Sequence, residues 1–228
     1  MPRSSALLCV TALVLAIGVG CSSPAPDPKI PAVSAPSPSR SPEPSPASPA
    51  AEVPTAAAPG KVPKDLRDLD WAHTAVPGDF CDVPGLITFT SGEALAQSRT
   101  YGKVHTEHRP AEVVYGNVLG DSRVEAALLV GCDNNGGTGS GRIVWAYLVF
   151  ASEQDKLKVI GVLTPQQAPP SSGASEFEKV QLTAGRVTAF EKWHRDTDPS
   201  CCPSGRAVTT WTPRAGGTLE AGAPRITA

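Results

Sequence analysis

The fold is decided by the segment from Val113 to Leu163, which reads VVYGNVLG DSRVEAALLV GCDNNGGTGS GRIVWAYLVF ASEQDKLKVI GVL. It contains four runs rich in β-branched and aromatic residues, at positions 113–118, 124–132, 143–150 and 157–163. Gly, Asp, Asn or Ser stands at each interruption, as is typical of strands joined by turns. The unbroken apolar group at 147–150 indicates a central strand that is covered on both faces.

Weaker patterns extend this core in both directions. Upstream, residues 64–71 predict a short amphipathic turn, 86–90 a strand, and Ser91 the cap of a short helix over 92–98. Downstream, the segments 177–182 and 187–193 predict one hairpin, and 207–212 with 218–221 another. We therefore expect a mainly β (α+β) domain over residues 61–228: an antiparallel hairpin meander that forms a sandwich or a partly open barrel, with one or two short helices.

The N-terminus resembles an export signal. After Arg3, residues 6–20 form an apolar run of 15 residues that ends at Cys21. Such a run is shorter than the roughly 20 residues that span a bilayer, but it fits the core of a signal peptide. The sequence Ile17-Gly18-Val19-Gly20-Cys21 is similar to the bacterial lipobox, although Gly18 stands where Leu is usual. We predict a signal peptide at 1–20 and a lipidated Cys21; the alternative is an ordinary signal peptide and a secreted protein.

Residues 21–60 lack the material for a hydrophobic core. Twelve of the chain's 24 prolines lie between Ser22 and Gly60, interleaved with Ser and Ala. This composition favours extended polyproline conformations. It predicts a disordered stalk that holds the domain away from a membrane, with a Pro-rich peptide ligand as the alternative.

The remaining cysteines indicate an oxidised domain. With Cys21 lipidated and Cys9 removed, four remain: Cys81, Cys132, Cys201 and Cys202. An even number in an exported domain favours two disulfides. Adjacent cysteines rarely bond to each other, so we expect Cys201 and Cys202 each to pair with Cys81 or Cys132. A redox-active adjacent pair is the alternative; a zinc site has no CxxC spacing to support it.

The candidate ligand sites are few. The polar loop 133–141 joins two strong strands, and its first residues, Asp133, Asn134 and Asn135, are the predicted binding rim. Its glycines do not precede a helix, so a phosphate-binding loop is not favoured.

Potential metal ligands occur in two places. The turn with Asn117, Asp121 and Glu125 is similar to calcium-binding hairpins but has too few acidic residues, so we expect an ordinary turn. His105 and His108 point to opposite faces if extended. We predict no metal site, no cofactor and no catalytic residues.

The chain as a whole resembles a known group. Cys21, the Ser/Pro stalk, the Gly-Asp-x-x-x-Glu-Ala turn and the late Asp198-Pro199-Ser200-Cys201-Cys202-Pro203-Ser204 are similar to uncharacterised cell-envelope lipoproteins of high-GC Gram-positive bacteria, among them the LppP/LprE-type group. The resemblance implies an extracytoplasmic location and a domain architecture, but this group has no agreed activity.

The expected function follows from the address and the charge. A net charge of −2 does not favour nucleic-acid binding. We expect a lipid-anchored, extracytoplasmic binding module with an envelope protein or glycan as partner. A structural or accessory wall protein and an envelope hydrolase or redox enzyme are the alternatives.

Overall fold

The computed structural model describes residues 62–134, 141–167, 175–199 and 201–228. The predicted signal peptide, Cys21 and the stalk lie outside these residues. Thirteen strands run through the described part of the chain: β1 (Val76–Pro77), β2 (Leu86–Ile87), β3 (Glu93–Ser98), β4 (Gly102–His108), β5 (Val114–Gly116), β6 (Glu125–Asp133), β7 (Arg142–Glu153), β8 (Lys156–Leu163), β9 (Glu176–Thr183), β10 (Arg186–Trp193), β11 (Gly205–Pro213), β12 (Leu219–Ala221) and β13 (Arg225–Ile226).

The strands form two main antiparallel sheets, and neither closes into a barrel. The large sheet has the order β3-β4-β6-β7-β8, with β5 beside the first half of β6. The small sheet has the order β12-β11-β10-β9, with β13 also on β11. The sandwich alternative is therefore the one that fits, and the predicted mainly β class is confirmed.

The position of strand β7 between two hydrophobic cores explains why its central residues are all apolar. Leu148 and Phe150 belong to a core between the large sheet and the N-terminal segment, together with Leu66, Trp71 and Val76. Tyr147 and Val149 face the opposite way and pack with residues of the small sheet such as Val187 and Trp211. Because side chains alternate along a strand, a strand covered on both faces must be apolar at every position. The expectation of two covered faces is confirmed.

The predicted helix over 92–98 is wrong, because β3 occupies that segment. Ser91 and Gly92 both have positive φ (54° and 89°), and Thr90 and Glu93 exchange two backbone hydrogen bonds across them. Two consecutive residues with φ above zero make a tight hairpin turn, so Ser91 turns the chain instead of capping a helix. In the described residues the helical elements are four 3-10 turns: Leu66–Asp68, Trp71–His73, Asp79–Cys81 and Pro110–Glu112.

The predicted cysteine pairing is also wrong. Cys81 bonds to Cys132, and Cys201 bonds to its neighbour Cys202. The first pair is buried and ties the N-terminal segment to β6, whereas the second is exposed in the connection between β10 and β11. The sequence argument failed because it excluded adjacent cysteines on ring strain alone.

Candidate functional site

A groove lies between β6 and β7 of the large sheet and the start of β9 of the small sheet. It has a volume of about 150 Å³ and is lined by Arg109, Leu129, Arg142, Trp145, Glu176 and Phe177. We call it the Trp145 groove. Leu129 and Phe177 belong to the margin of the core between the sheets, and the Phe177 ring packs edge-on against Tyr147 with their centroids 5.3 Å apart. The floor of the groove is therefore an extension of packed core and not a loose surface patch.

A β-bulge puts Arg142 on the same face as Trp145. In a regular strand, residues three apart point to opposite faces. Here Cys132 pairs with Val144 but Asp133 pairs with Arg142, so Ile143 is an additional residue on β7. Ile143 and Val144 both pack against the N-terminal core. The bulge thus redirects Arg142 into the groove, as bulges commonly do for a single side chain.

The Trp145 ring contacts the backbone of the neighbouring strand and two guanidinium groups. Its cross-strand partner is Gly131, where an added Cβ would lie 2.9 Å from the indole Cε3, so the ring lies on bare backbone. The guanidinium carbons of Arg109 and Arg142 lie 5.4 and 5.2 Å from the ring centroid, within the range of cation–π attraction. Three contacts therefore orient a ring that remains partly accessible to solvent.

Carboxylates balance both arginines of the groove. Arg142 Nη1 lies 3.2 Å from Glu176, and Arg109 lies 3.4 Å from Glu107 and 3.5 Å from Glu112. All of these ion pairs are partly exposed, so each one stabilises the fold by little. Their main effect is to leave the groove without an excess of positive charge.

A second polar group lies next to the groove on the same face of the sheet. His105 Nδ1 is 3.1 Å from Asp133, and Nε2 is 3.7 Å from Glu93. Burial alone would lower the pKa of His105, but the hydrogen bond and charge of Asp133, with the charge of Glu93, outweigh it and raise that pKa. Asp133 is in turn the register partner of Arg142, which lines the groove.

Of the predicted binding loop 133–141, the structure describes the first two residues, Asp133 and Asn134, and the last, Gly141. Asp133 is half-buried and engaged with His105. Asn134 is exposed, and its amide donates to the carbonyl of Gly141 at 2.9 Å. Asn135 lies outside the described residues. The residues of the groove itself were not among the predicted sites.

The turn that is similar to calcium-binding hairpins contains a buried carboxylate, that of Glu125. Glu125 Oε2 accepts backbone hydrogen bonds from Val118 (2.5 Å) and Leu119 (3.1 Å), and Asp121 forms an ion pair with Arg123. Burial raises the pKa of Glu125, although the two amides oppose the shift. Asp121 also accepts a hydrogen bond from the backbone amide of Arg123 at 2.8 Å, as expected of an ordinary turn.

A buried carboxylate in the small sheet works in the same way. Glu191 on β10 accepts from the amides of Gln166 and Gln167, each at 2.9 Å. Both glutamates fix a connection between strands, which is a structural task. Charged residues in sequence are usually read as exposed, so no signal identified either of them.

The two histidines of β4 point to opposite faces, as predicted. His108 is buried edge-on against Phe89, with ring centroids 4.1 Å apart, and burial lowers its pKa. Among the described residues, no group of three or more His, Cys, Asp or Glu side chains could hold a metal ion.

The chemistry that the groove offers is hydrogen bonding beside apolar surface. The six described residues that line it supply two guanidinium groups, one carboxylate, two aromatic rings and one aliphatic side chain. Small-molecule sites typically combine an apolar lining with a few well-placed polar groups. Sequence reasoning missed these residues because three strands and a bulge bring them together; the one local signal was a Trp on a strand that begins at a polar loop.

No helix in the described part of the chain has the length and apolar character needed to cross a membrane.

Comparison with known proteins finds no relatives. No protein-family model, curated protein or solved structure matches the sequence or the fold.

Proposed function

We propose that this chain is a lipid-anchored, extracytoplasmic binding module of the cell envelope that takes its partner in the Trp145 groove. The observation that carries this proposal is the groove itself: an indole fixed by Gly131, Arg109 and Arg142 on a rigid sheet. Binding sites on strands hold their side chains more accurately than sites on loops. Among the described lining residues Glu176 is the one carboxylate, and no Ser, Thr, Cys, His or Lys stands with it as a second catalytic group.

The proposed address rests on the sequence. The apolar run ending at Cys21 and the Pro/Ser/Ala-rich segment 21–60 suit an acylated protein whose domain stands off from the membrane. The two disulfides agree with an oxidising compartment.

A photo-crosslinking experiment on living cells tests the binding role. A diazirine amino acid at Glu112 lies on the rim, beside Arg109 but outside the lining. The same label at the exposed Arg186, at the start of β10 in the small sheet, is the matched control. We expect a crosslinked species from position 112 that is absent from position 186. Equal capture at both positions, or none at 112 in several growth conditions, would support an accessory wall role instead.

Fractionation of cells tests the anchor separately. Replacing Cys21 with Ser should release the protein into the medium, because acyl chains on Cys21 are the proposed membrane anchor once the signal peptide has been removed. Cys9→Ser, within the apolar run, is the control and should leave the protein in the membrane. Membrane retention of the Cys21→Ser variant would contradict lipidation.

A further inference from the structure

We infer that the Trp145 groove binds a neutral pyranose ring of a glycan. This inference rests on the proposed binding role and names the class of ligand. It is drawn from four properties of the groove: its volume, its two-sided polarity, its charge and the rigidity of the indole.

The volume suits one small ring. About 150 Å³ is well below the roughly 300–1,000 Å³ of pockets that enclose drug-sized ligands. The groove is open to solvent, so it can hold one ring of a longer chain while the remainder extends away. A folded peptide segment with several side chains would need more space.

The distribution of polarity matches that of a sugar. The lining combines three apolar side chains, Leu129, Trp145 and Phe177, which we call the floor, with three charged ones, Arg109, Arg142 and Glu176, which we call the rim. A pyranose has one face of C–H groups and a rim of hydroxyls. The C–H face can pack on the aromatic floor while the hydroxyls reach the polar rim. An aliphatic ligand would leave that rim without partners.

The rim offers both kinds of hydrogen-bonding group. A guanidinium carries five N–H donors in a plane, and a carboxylate carries two acceptor oxygens. Adjacent hydroxyls both donate and accept. Arg142 and Glu176, 3.2 Å apart, therefore present a donor and an acceptor side by side to such a pair.

The charge of the groove favours a neutral ligand. Two guanidinium groups face three carboxylates: Glu107, Glu112 and Glu176. An acidic sugar would meet these carboxylates, and a cationic ligand would meet both arginines. A ligand without charge disturbs neither ion-pair set.

The indole is positioned before a ligand arrives. Gly131 lies against the ring, and the guanidinium carbons of Arg109 and Arg142 lie 5.4 and 5.2 Å from its centroid, so three groups fix its position. A ring that is already fixed loses little conformational entropy on binding.

Two-dimensional NMR of the purified full-length chain in detergent tests the inference. The chain has four tryptophans, so its indole N–H region should show four signals, and Trp145→Phe identifies one of them. The probes are the β-1,4-linked trisaccharides of glucose and of N-acetylglucosamine. We expect the Trp145 signal to shift saturably with at least one probe, with a Kd on the order of 1 mM.

Variants separate stacking from rim contacts. Trp145→Ala should abolish binding, and Arg142→Lys should weaken it roughly tenfold, because Lys keeps the charge but loses the planar fork. Trp193→Phe, on the small sheet, is the control and should bind as the parent does. Affinity should be the same at low and high salt, because a neutral ligand is not screened.

Several outcomes would overturn the inference. These are the absence of a saturable shift with both trisaccharides, tighter binding of glucuronic acid or choline than of either trisaccharide, and affinity that falls steeply with salt. A rim crosslink on cells without sugar binding would retain the proposed binding role and reject the glycan. Sugar binding without membrane retention would retain the glycan and reject the anchor.

Discussion

Trp145 lies directly over Gly131, its register partner on the neighbouring strand. Trp193 and Gly205 repeat this relationship in the small sheet, where an added Cβ would lie 2.4 Å from the indole Cε2. In each pair a large ring occupies the space that a partner side chain would take, an arrangement that protects a glycine within a strand. In the large sheet it also forms the floor of the groove.

Gly131→Ala should displace the Trp145 ring. Overpacking of this kind typically destabilises a protein by about 1–3 kcal/mol. In a Trp145→Ala background the same change should have little effect on the free energy of unfolding, since the obstructing ring is gone. Urea denaturation of the four proteins in this double-mutant cycle measures the coupling. Equal effects in both backgrounds would show that the ring does not rest on Gly131.

His105 and His108 should titrate on opposite sides of the ordinary histidine value of about 6.5. The pKa of His105 is raised by Asp133 and Glu93 against the effect of burial, and burial lowers the pKa of His108. NMR titration of the ring protons measures both. Asp133→Asn should lower the pKa of His105 and leave that of His108 unchanged; a parallel shift of both would contradict the assignment.

The shifted pKa values of His105 and His108 make the free energy of unfolding depend on pH, and the two histidines act in opposite directions. His108 contributes stability above about pH 6.5 that is lost as the pH falls through its folded-state pKa, because the unfolded chain takes up the proton first. His105 contributes stability below about pH 6.5 that is lost as the pH rises through its raised pKa. In His108→Phe, the free energy of unfolding should therefore depend less on pH below 6.5 than in the parent.

Glu125 should tolerate Gln but not Ala. Ala leaves the amides of Val118 and Leu119 without an acceptor, at about 1–3 kcal/mol for each buried group. Gln keeps one acceptor and removes a buried charge. Because burial raises the pKa of Glu125, the stability due to its protonated form is lost as the pH rises through that pKa. Measured by urea denaturation, the Gln variant should thus gain stability relative to the parent as the pH rises above the ordinary glutamate pKa of 4.5; equal losses for Gln and Ala would contradict this.

The two disulfides should differ in what they contribute. Cys81 and Cys132 are 51 positions apart, and replacing both with Ala removes about 4 kcal/mol of chain-entropy stabilisation. Replacing Cys201 and Cys202 with Ser should change the free energy of unfolding little, because their bond closes no long loop.

A dithiol reductant should open the two disulfides in a fixed order. The exposed Cys201–Cys202 bond should be reduced and alkylated while the protein is still folded, and the buried Cys81–Cys132 bond only on unfolding. Mass spectrometry of the alkylated peptides measures the order. Alkylation of Cys81 first would contradict it, and a digest that links Cys81 to Cys201 or Cys202 would contradict the pairing.

The sequence predicts well those strands and turns that depend mainly on the residues of one short segment. The runs that became β6, β7 and β8 carry enough β-branched and apolar residues to specify strands, and Ala184-Gly185 marks the turn of the β9–β10 hairpin. The helix prediction was wrong at residues 93–98 because Glu, Ala, Leu and Gln are good helix formers. Pairing of Glu93–Ser98 with β4 overrides that preference.

The groove could not be predicted because its residues meet only in the folded chain. Arg109 follows β4, Phe177 lies on β9, and Arg142 faces the groove only because of the bulge at Ile143. A bulge has no sequence signature here, since Ile143 and Val144 read as ordinary strand residues. The partners of the buried Glu125 and Glu191 depend likewise on contacts between distant elements.

The Cys81–Cys132 bond determines how the domain transmits mechanical load. A pull entering at Val62 can detach the N-terminal segment from the large sheet only as far as Cys81. There the tension passes through the sulfurs into β6, one residue from Gly131 and the indole above it. The 50 residues between the two cysteines therefore carry none of the tension, because the disulfide bypasses them. If a ligand is held in the groove and the chain is anchored at its N-terminus, as we propose, the two can therefore be pulled apart without unravelling β3, β4 or β5.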